Sequence, residues 1–252
     1  MSVSMRASMG MMQLTIKQML FSRKFIALQI IAFLPALLVV YALSRPDMTQ
    51  PYVFLSDFTY ILYIQIILVL ITLINATSLV RDEISNKTIS FLVTRSMSRQ
   101  SVVVSRYLAH IPVNFILVAL PVTACFAYMG AIEGALLSNI DILSGYLVMI
   151  LVGVVVYGAF FYMLGILLRH PLMIGLLFAF LWEVLLTNMP GRIPYVTMMF
   201  YLRSIGFSII ETGGLQMELE TISATHSTIA LAAVTIFIIF LARRRFMRMD
   251  LI

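Results

Sequence analysis

Charge is what this chain has least of. Asp, Glu, Lys and Arg make up 11% of its 252 residues, against 62% hydrophobic residues, and the mean hydropathy is +1.03. Soluble domains average about 25% charged and about 45–50% apolar residues, so this composition reads as that of an integral membrane protein. Cysteine is almost missing as well. Cys125 stands alone in an apolar run, which rules out an intrachain disulfide framework. Lysine occurs only at Lys17, Lys24 and Lys87, never after a glycine. A phosphate-binding loop needs a glycine-rich turn ending in Gly-Lys-Ser/Thr, so the chain by itself is not expected to hydrolyse ATP. There is no HExxH, no G-x-S-x-G and no aspartate pair in an apolar stretch, which argues against an intramembrane enzyme. The methionines are numerous but scattered, without paired spacing along one apolar run, so no metal site is expected.

What the chain does have is long apolar runs. Stretches near the roughly 20 residues needed to cross a bilayer occur at Phe25–Leu43, Phe58–Val80, Tyr107–Gly130, Gly145–Leu168, Pro171–Met189 and His226–Ala242. The expected fold is therefore an all-α membrane protein with six transmembrane helices, and too little polar chain remains for a separate soluble domain. Arg169 and His170 interrupt two runs too long to be one span, and so mark a tight turn at a membrane surface. Six spans place both termini on one side. That side holds fourteen of the basic residues, and the other only Arg45, Arg192 and Arg203. Basic residues collect in cytoplasmic loops, so the termini are expected to be cytoplasmic and the location the plasma (inner) membrane. The +6 net charge is thereby assigned to orientation and to anionic lipid headgroups, and nucleic acid is not an expected partner.

Residues 1–24 are too short and too polar to span. A stripe of Met11, Met12, Leu14, Met19 (or Gln18) and Phe21 predicts an amphipathic helix in the cytoplasmic interface. Pro190–Thr225 is the longest outer loop and stays apolar and aromatic, which predicts short helices at or dipping into the outer leaflet, ending near Gly213–Gly214.

Between the second and third spans lies "RDEISNKTISFLVTRSMSR", Arg81 to Arg99, the most charged segment of the chain. Helical spacing over Asp82–Val93 places Ile84, Thr88, Phe91 and Leu92 on one face. Asp82 and Glu83 suit its first turn, and Arg95 and Arg99 its end. A short amphipathic helix stacked beneath the second and third spans is predicted. The order Glu83, Lys87-Thr88, Phe91-Leu92, Thr94-Arg95, Ser98-Arg99 resembles the cytoplasmic loop of ABC transporter permeases of the type 2 exporter class, whose pattern is close to E-x-x-x-(G/K/R)-T-x-x-x-L-x-x-R-P-x-S-R. Ser96 stands where that pattern has proline, which loosens the turn. The resemblance extends to the six-span layout, the interfacial first helix and the re-entrant region before the last span. It implies that Glu83, Lys87, Thr88, Phe91, Leu92, Arg95 and Arg99 dock on a separate ABC ATPase subunit present in two copies. ATP and magnesium would be held there, not here. It further implies a second permease chain, identical or homologous, to complete the pathway. The alternative is an ATP-independent secondary transporter or channel, for which more intramembrane charge or symmetric broken helices are expected.

Polar residues within the apolar runs are candidate pathway positions, because an intramembrane ionisable group is costly. Glu183 either serves a proton or cation or partners a polar group or helix end. His110 and Asn114, one turn apart, either pair, face a cavity or, for His110, sit in the solvated interface. Gln29, Gln65 and Asn75 are expected to bond between helices. Gly158 and Gly165 suit close helix packing, and Pro35, Pro112 and Pro121 are expected to kink their helices.

Overall fold

A computed structural model of the chain describes residues 3–44, 51–85, 99–134, 139–210 and 220–247. These residues are helical and contain no strand. We number the helices α1 (Val3–Leu20), α2 (Arg23–Leu43), α3 (Pro51–Phe58, Thr59–Ile67 and Leu68–Ser85, continuous), α4 (Arg99–Glu133) and α5 (Ile140–Leu167). The rest are α6 (Pro171–Leu177, Phe178–Val184 and Leu185–Thr187, continuous), α7 (Met198–Phe207) and α8 (Ala224–Met247). The middle segments of α3 and α6 are π-helical. Five helices, α2, α3, α4, α5 and α8, are long and apolar enough to cross a membrane. At 1.5 Å per residue the 17 residues of α6 reach about 26 Å, a little less than the roughly 30 Å hydrocarbon layer. The protein is a multi-pass membrane-embedded chain.

The burial pattern explains the layering. In α2 the buried residues are Leu28, Ala32, Ala36, Val39 and Leu43, and in α8 they are Ser227, Leu231, Thr235, Ile238 and Ala242. Both follow a four-four-three-four spacing, one stripe of a helix. The opposite faces remain apolar, with Ile30 and Leu37 exposed on α2 and Ile236 and Phe237 on α8. A helix apolar all round belongs in an apolar medium. By contrast α5 is buried along most of its length and packs on α3, α4, α7 and α8. Glycines admit its neighbours. A Cβ on Gly158 would overlap the His110 ring, and one on Gly153 would overlap Leu68.

The two ends of the bundle are identified by their contacts. Lys24, Ser78 and Arg106 border one cavity, and Ser78 shares another with Arg169 and His170, so basic residues of α2, α4 and the α5–α6 turn gather at one end. At the other, Ser44 bonds Tyr128 at 2.8 Å and Ser56 bonds Tyr146 at 2.9 Å. The expected Arg169–His170 turn is present between α5 and α6.

Several details differ from the sequence reading. Residues 82–85 do not open a separate helix but continue α3 without a break, since nothing between Leu79 and Ser85 is a glycine or proline. The remainder of the 82–93 helix lies outside the described residues. In α1 the buried face is Met11 and Thr15, with Ile16, Met19 and Leu20 partly covered. Leu14 is 62% and Phe21 86% exposed, because they fall on the adjacent face.

The contact between Gly158 and His110 generates a test. Alanine gains up to about 1 kcal/mol over glycine in a helix, but forced overlap in a packed core costs about 1–3 kcal/mol. Gly158→Ala should therefore lower the thermal unfolding midpoint in detergent, and adding His110→Ala should restore most of it. An unchanged midpoint for Gly158→Ala would refute the close approach.

Candidate functional site

The densest buried polar assembly surrounds Glu183, on the π-helical segment of α6. The residue is fully buried. Its Oε2 accepts from the Tyr157 hydroxyl at 2.7 Å and from the Met199 amide at 2.9 Å, and its Oε1 accepts from the Met198 amide at 3.1 Å. Met198 and Met199 are the first residues of α7. The first four amides of a helix have no partner within it, and in an apolar surrounding an unsatisfied backbone group costs several kcal/mol. A carboxylate answers both the missing acceptors and the positive end of the helix dipole.

Neighbouring side chains complete the clamp. Thr187, one turn beyond Glu183, donates to the Thr197 hydroxyl at 2.9 Å. Thr197 in turn caps α7, accepting from Phe200 N at 3.3 Å and donating to Pro194 O at 2.7 Å. Trp182 Nε1 donates to Val196 O at 3.2 Å. Three side chains from one end of α6 therefore hold the entry of α7, which packs against α5 and α8 with Met199, Phe200, Leu202, Arg203, Ser204, Ile205 and Gly206 buried. The chain runs down α6, turns through Gly191 at φ 81° and re-enters the bundle. Of the two expected placements for a short helix in this loop, at the leaflet or dipping into it, α7 takes a buried one against the bundle and ends at Phe207, and Gly213–Gly214 lie outside the described residues.

Arg203 is the residue that sequence reading missed. It was counted with the outer loop charges, yet it is among the largest fully buried side chains. Its Nη2 donates to Glu220 O at 2.8 Å, and the guanidinium lies 5.0 Å from the Phe200 ring centroid. Among the described residues Nε and Nη1 have no hydrogen-bond partner of good geometry, and the Tyr60 hydroxyl lies beside Arg203 and Gln65. The available signal was a lone cation in "MMFYLRSIGFSII". Gln65, on the other π segment, exchanges hydrogen bonds with Asn188 at 3.3 and 3.4 Å. The two π segments thus bring Tyr60, Gln65 and Glu183 to one region, and π-bulges commonly mark functional places in helices.

The remaining sequence candidates separate. His110 and Asn114 are both fully buried, so the solvated position for His110 is overturned. They do not pair. His110 Nδ1 bonds Tyr107 O on its own helix, whereas Asn114 Oδ1 accepts from Asn75 Nδ2 at 2.6 Å, linking α4 to α3. Their Nε2 and Nδ2 atoms have no partner among the described residues. Gln29 donates to Leu117 O at 3.4 Å, tying α2 to α4. Glu83 lies in α3 and Arg99 opens α4, with side chains outside the described residues. Lys87, Thr88, Phe91, Leu92 and Arg95 lie wholly outside them. No group of three or more His, Cys, Asp or Glu with metal-ligand geometry occurs among the described residues.

With both carboxylate oxygens engaged, Glu183 is built as a helix anchor. Glu183→Leu leaves three buried donors unmatched at about 1–3 kcal/mol each, so it should destabilise the chain by several kcal/mol and open 190–207 to limited proteolysis. Glu183→Gln retains one good acceptor and should cost less. Equal stability of Glu183→Leu and the parent would contradict the anchor.

No curated protein matches this chain. The family model described as "Protein of unknown function (DUF2705)" matches residues 9–252, and the chain belongs to that family.

Proposed function

We infer that this chain is the permease subunit of an ATP-driven ABC transporter of the exporter type, spanning the membrane six times with cytoplasmic termini. One observation carries the reading. The apolar spans of α3 and α4 end at Leu79 and begin at Val104, yet the helices run on to Ser85 and start at Arg99. At 1.5 Å per residue each overruns its span by roughly 8–9 Å. Glu83 and Arg99, the first and last positions of the ABC-like motif, therefore stand on stiff stalks outside the apolar zone, at the end where Lys24, Arg106 and Arg169 collect. Such stalks suit reception of force from a separate motor.

The mechanism follows from that geometry. Closure of two ATPase subunits would press on the 86–98 connection between the stalks, and α3 and α4 would carry the displacement into α5, on which both pack. The sixth crossing is made by α6, with α7 folded back beside it. Two copies of the permease would face one another and open a path between them. The motor must contact the loop differently in its two states, since only that difference shifts the equilibrium. A bundle this apolar favours lipid-like, drug-like or peptide cargo over free ions. Glu183 is occupied by α7, and this weakens the alternative of a proton- or cation-driven secondary transporter.

The double variant Arg95→Glu/Arg99→Glu should abolish co-purification of the ATPase subunit and its stimulated hydrolysis while leaving the thermal midpoint of the isolated permease unchanged. Parent-like capture and turnover would refute the assignment.

A further inference from the structure

At the basic end, a cavity of about 310 Å³ lies between α1, α2, α3 and α4, at the lower edge of the roughly 300–1,000 Å³ typical of ligand pockets. Its rim carries Gln18, which is exposed, and its floor Asn75 and Val113, which are buried. Val113 stands well inside the α4 span that begins at Val104, so the cavity reaches about 14 Å into the apolar zone. That is close to the middle of a hydrocarbon layer about 30 Å thick. Met19, Phe25 and Leu79 supply apolar wall.

Most polar groups of the lining are bonded to main chain. The Thr15, Ser22 and Ser78 hydroxyls donate to Met11 O, Met19 O and Asn75 O at 2.9, 2.7 and 3.0 Å. Lys24 Nζ donates to Ile74 O at 3.1 Å and to the Ser78 hydroxyl, and Arg106 Nη1 donates to Leu79 O at 3.5 Å, so both cations are engaged with α3. The two carboxamides differ. Asn75 Nδ2 donates to Asn114 Oδ1 at 2.6 Å, but among the described residues nothing donates to Asn75 Oδ1, and the Gln18 amide has no hydrogen bond. Behind Asn75, the Asn114 Nδ2 is buried without a partner among the described residues. Apolar surroundings make unused hydrogen-bonding capacity costly, and here it gathers at one cavity.

A carboxamide offers a donor and an acceptor side by side, and its complement is another amide. A carboxylate or phosphate supplies acceptors alone and an ammonium donors alone, so each would match half of what Gln18 and Asn75 present. We propose that the cavity binds a short peptide, with one backbone amide between Gln18 and Asn75 and an apolar side chain against Met19, Phe25, Leu79 and Val113. For its role this site rests on the transporter reading: among the cargo classes named there it selects peptides and takes them up from the basic end. Binding itself needs no motor, so the two can fail separately.

The probe is N-acetyl-photoleucine methylamide, a blocked residue with a diazirine on its side chain. Irradiated with the full-length chain in phosphatidylcholine nanodiscs, without any ATPase, it should label peptides containing Met19, Phe25, Leu79 or Val113, located by mass spectrometry. Unlabelled N-acetyl-leucine methylamide should suppress that labelling, whereas the same molecule with both N–H groups replaced by ester oxygens should not. Asn75→Leu should lower the yield about tenfold, the effect of losing a hydrogen-bonding edge. Gln18→Met, on an exposed residue, should lower it severalfold and decides the matter if Asn75→Leu does not fold. Gln13→Met, exposed on α1 but outside the cavity, should leave it unchanged. Parent-like labelling in Gln18→Met overturns the proposal. So does equal loss in Gln13→Met, labelling confined to the exposed apolar faces of α2 and α8, or suppression by the ester as strong as by the amide.

Discussion

An apolar bundle has no water with which to satisfy a helix end, and the fold depends on how that is solved at α7. The solution is the Glu183 carboxylate. Two of the first α7 amides and the Tyr157 hydroxyl converge on it, so one side chain links α5, α6 and α7. Irregular backbone at membrane depth is tolerated only where it is enclosed by protein or lines a wet cavity. Here most of the connection between α6 and α7 is exposed and only Pro194 and Thr197 are buried, while Thr187, Thr197 and Trp182 bond its end at the start of α7.

Other features follow from that anchor. Because α7 folds back into the bundle, it fills space beside α5 and α8, and Gly145, Gly153 and Gly206 leave room for the side chains and main chain that meet there. Arg203 enters with α7 and is buried with a main-chain carbonyl and an aromatic face as its partners. The outer surfaces of α2, α6 and α8 remain apolar, as surfaces against lipid or a second copy require. The polar bonds between helices, Asn75 with Asn114 and Gln65 with Asn188, add fixed points to packing that is otherwise featureless oil against oil. Such bonds contribute about 0.6–2 kcal/mol each.

Much of this was legible in the sequence, because crossing a bilayer demands long apolar runs and those are local. The runs from Phe25, Tyr107, Gly145 and His226 appear among the five helices long enough to cross a membrane, that from Phe58 begins earlier, at Pro51, that from Pro171 appears as a shorter apolar helix, and the break at Arg169–His170 is where the turn falls. Polarity at Gln29, Gln65 and Asn75 was correctly linked to bonding between helices. Burial of Arg203 was not legible, since its loop-like position suggested an exposed charge and only tertiary packing of α7 reverses that. The partners of Glu183 lie 15 and 16 residues further along as backbone amides, which carry no sequence signal at all. The stripe expected on α1 divides between two faces: Met11 and Thr15 are buried against the bundle, and Leu14 and Phe21 are exposed. The π segments left no mark that hydropathy could read.

The functional account places force reception at one end of α3 and α4 and a rigidly anchored re-entrant helix toward the other. Its structural centre is the claim that Glu183 pins the start of α7. Amide hydrogen exchange, followed by mass spectrometry over a peptide covering Met198–Phe207 in the intact protein, tests this most directly. The account requires protection there comparable with the middle of α5. Exchange within seconds, as for an exposed loop, would contradict it.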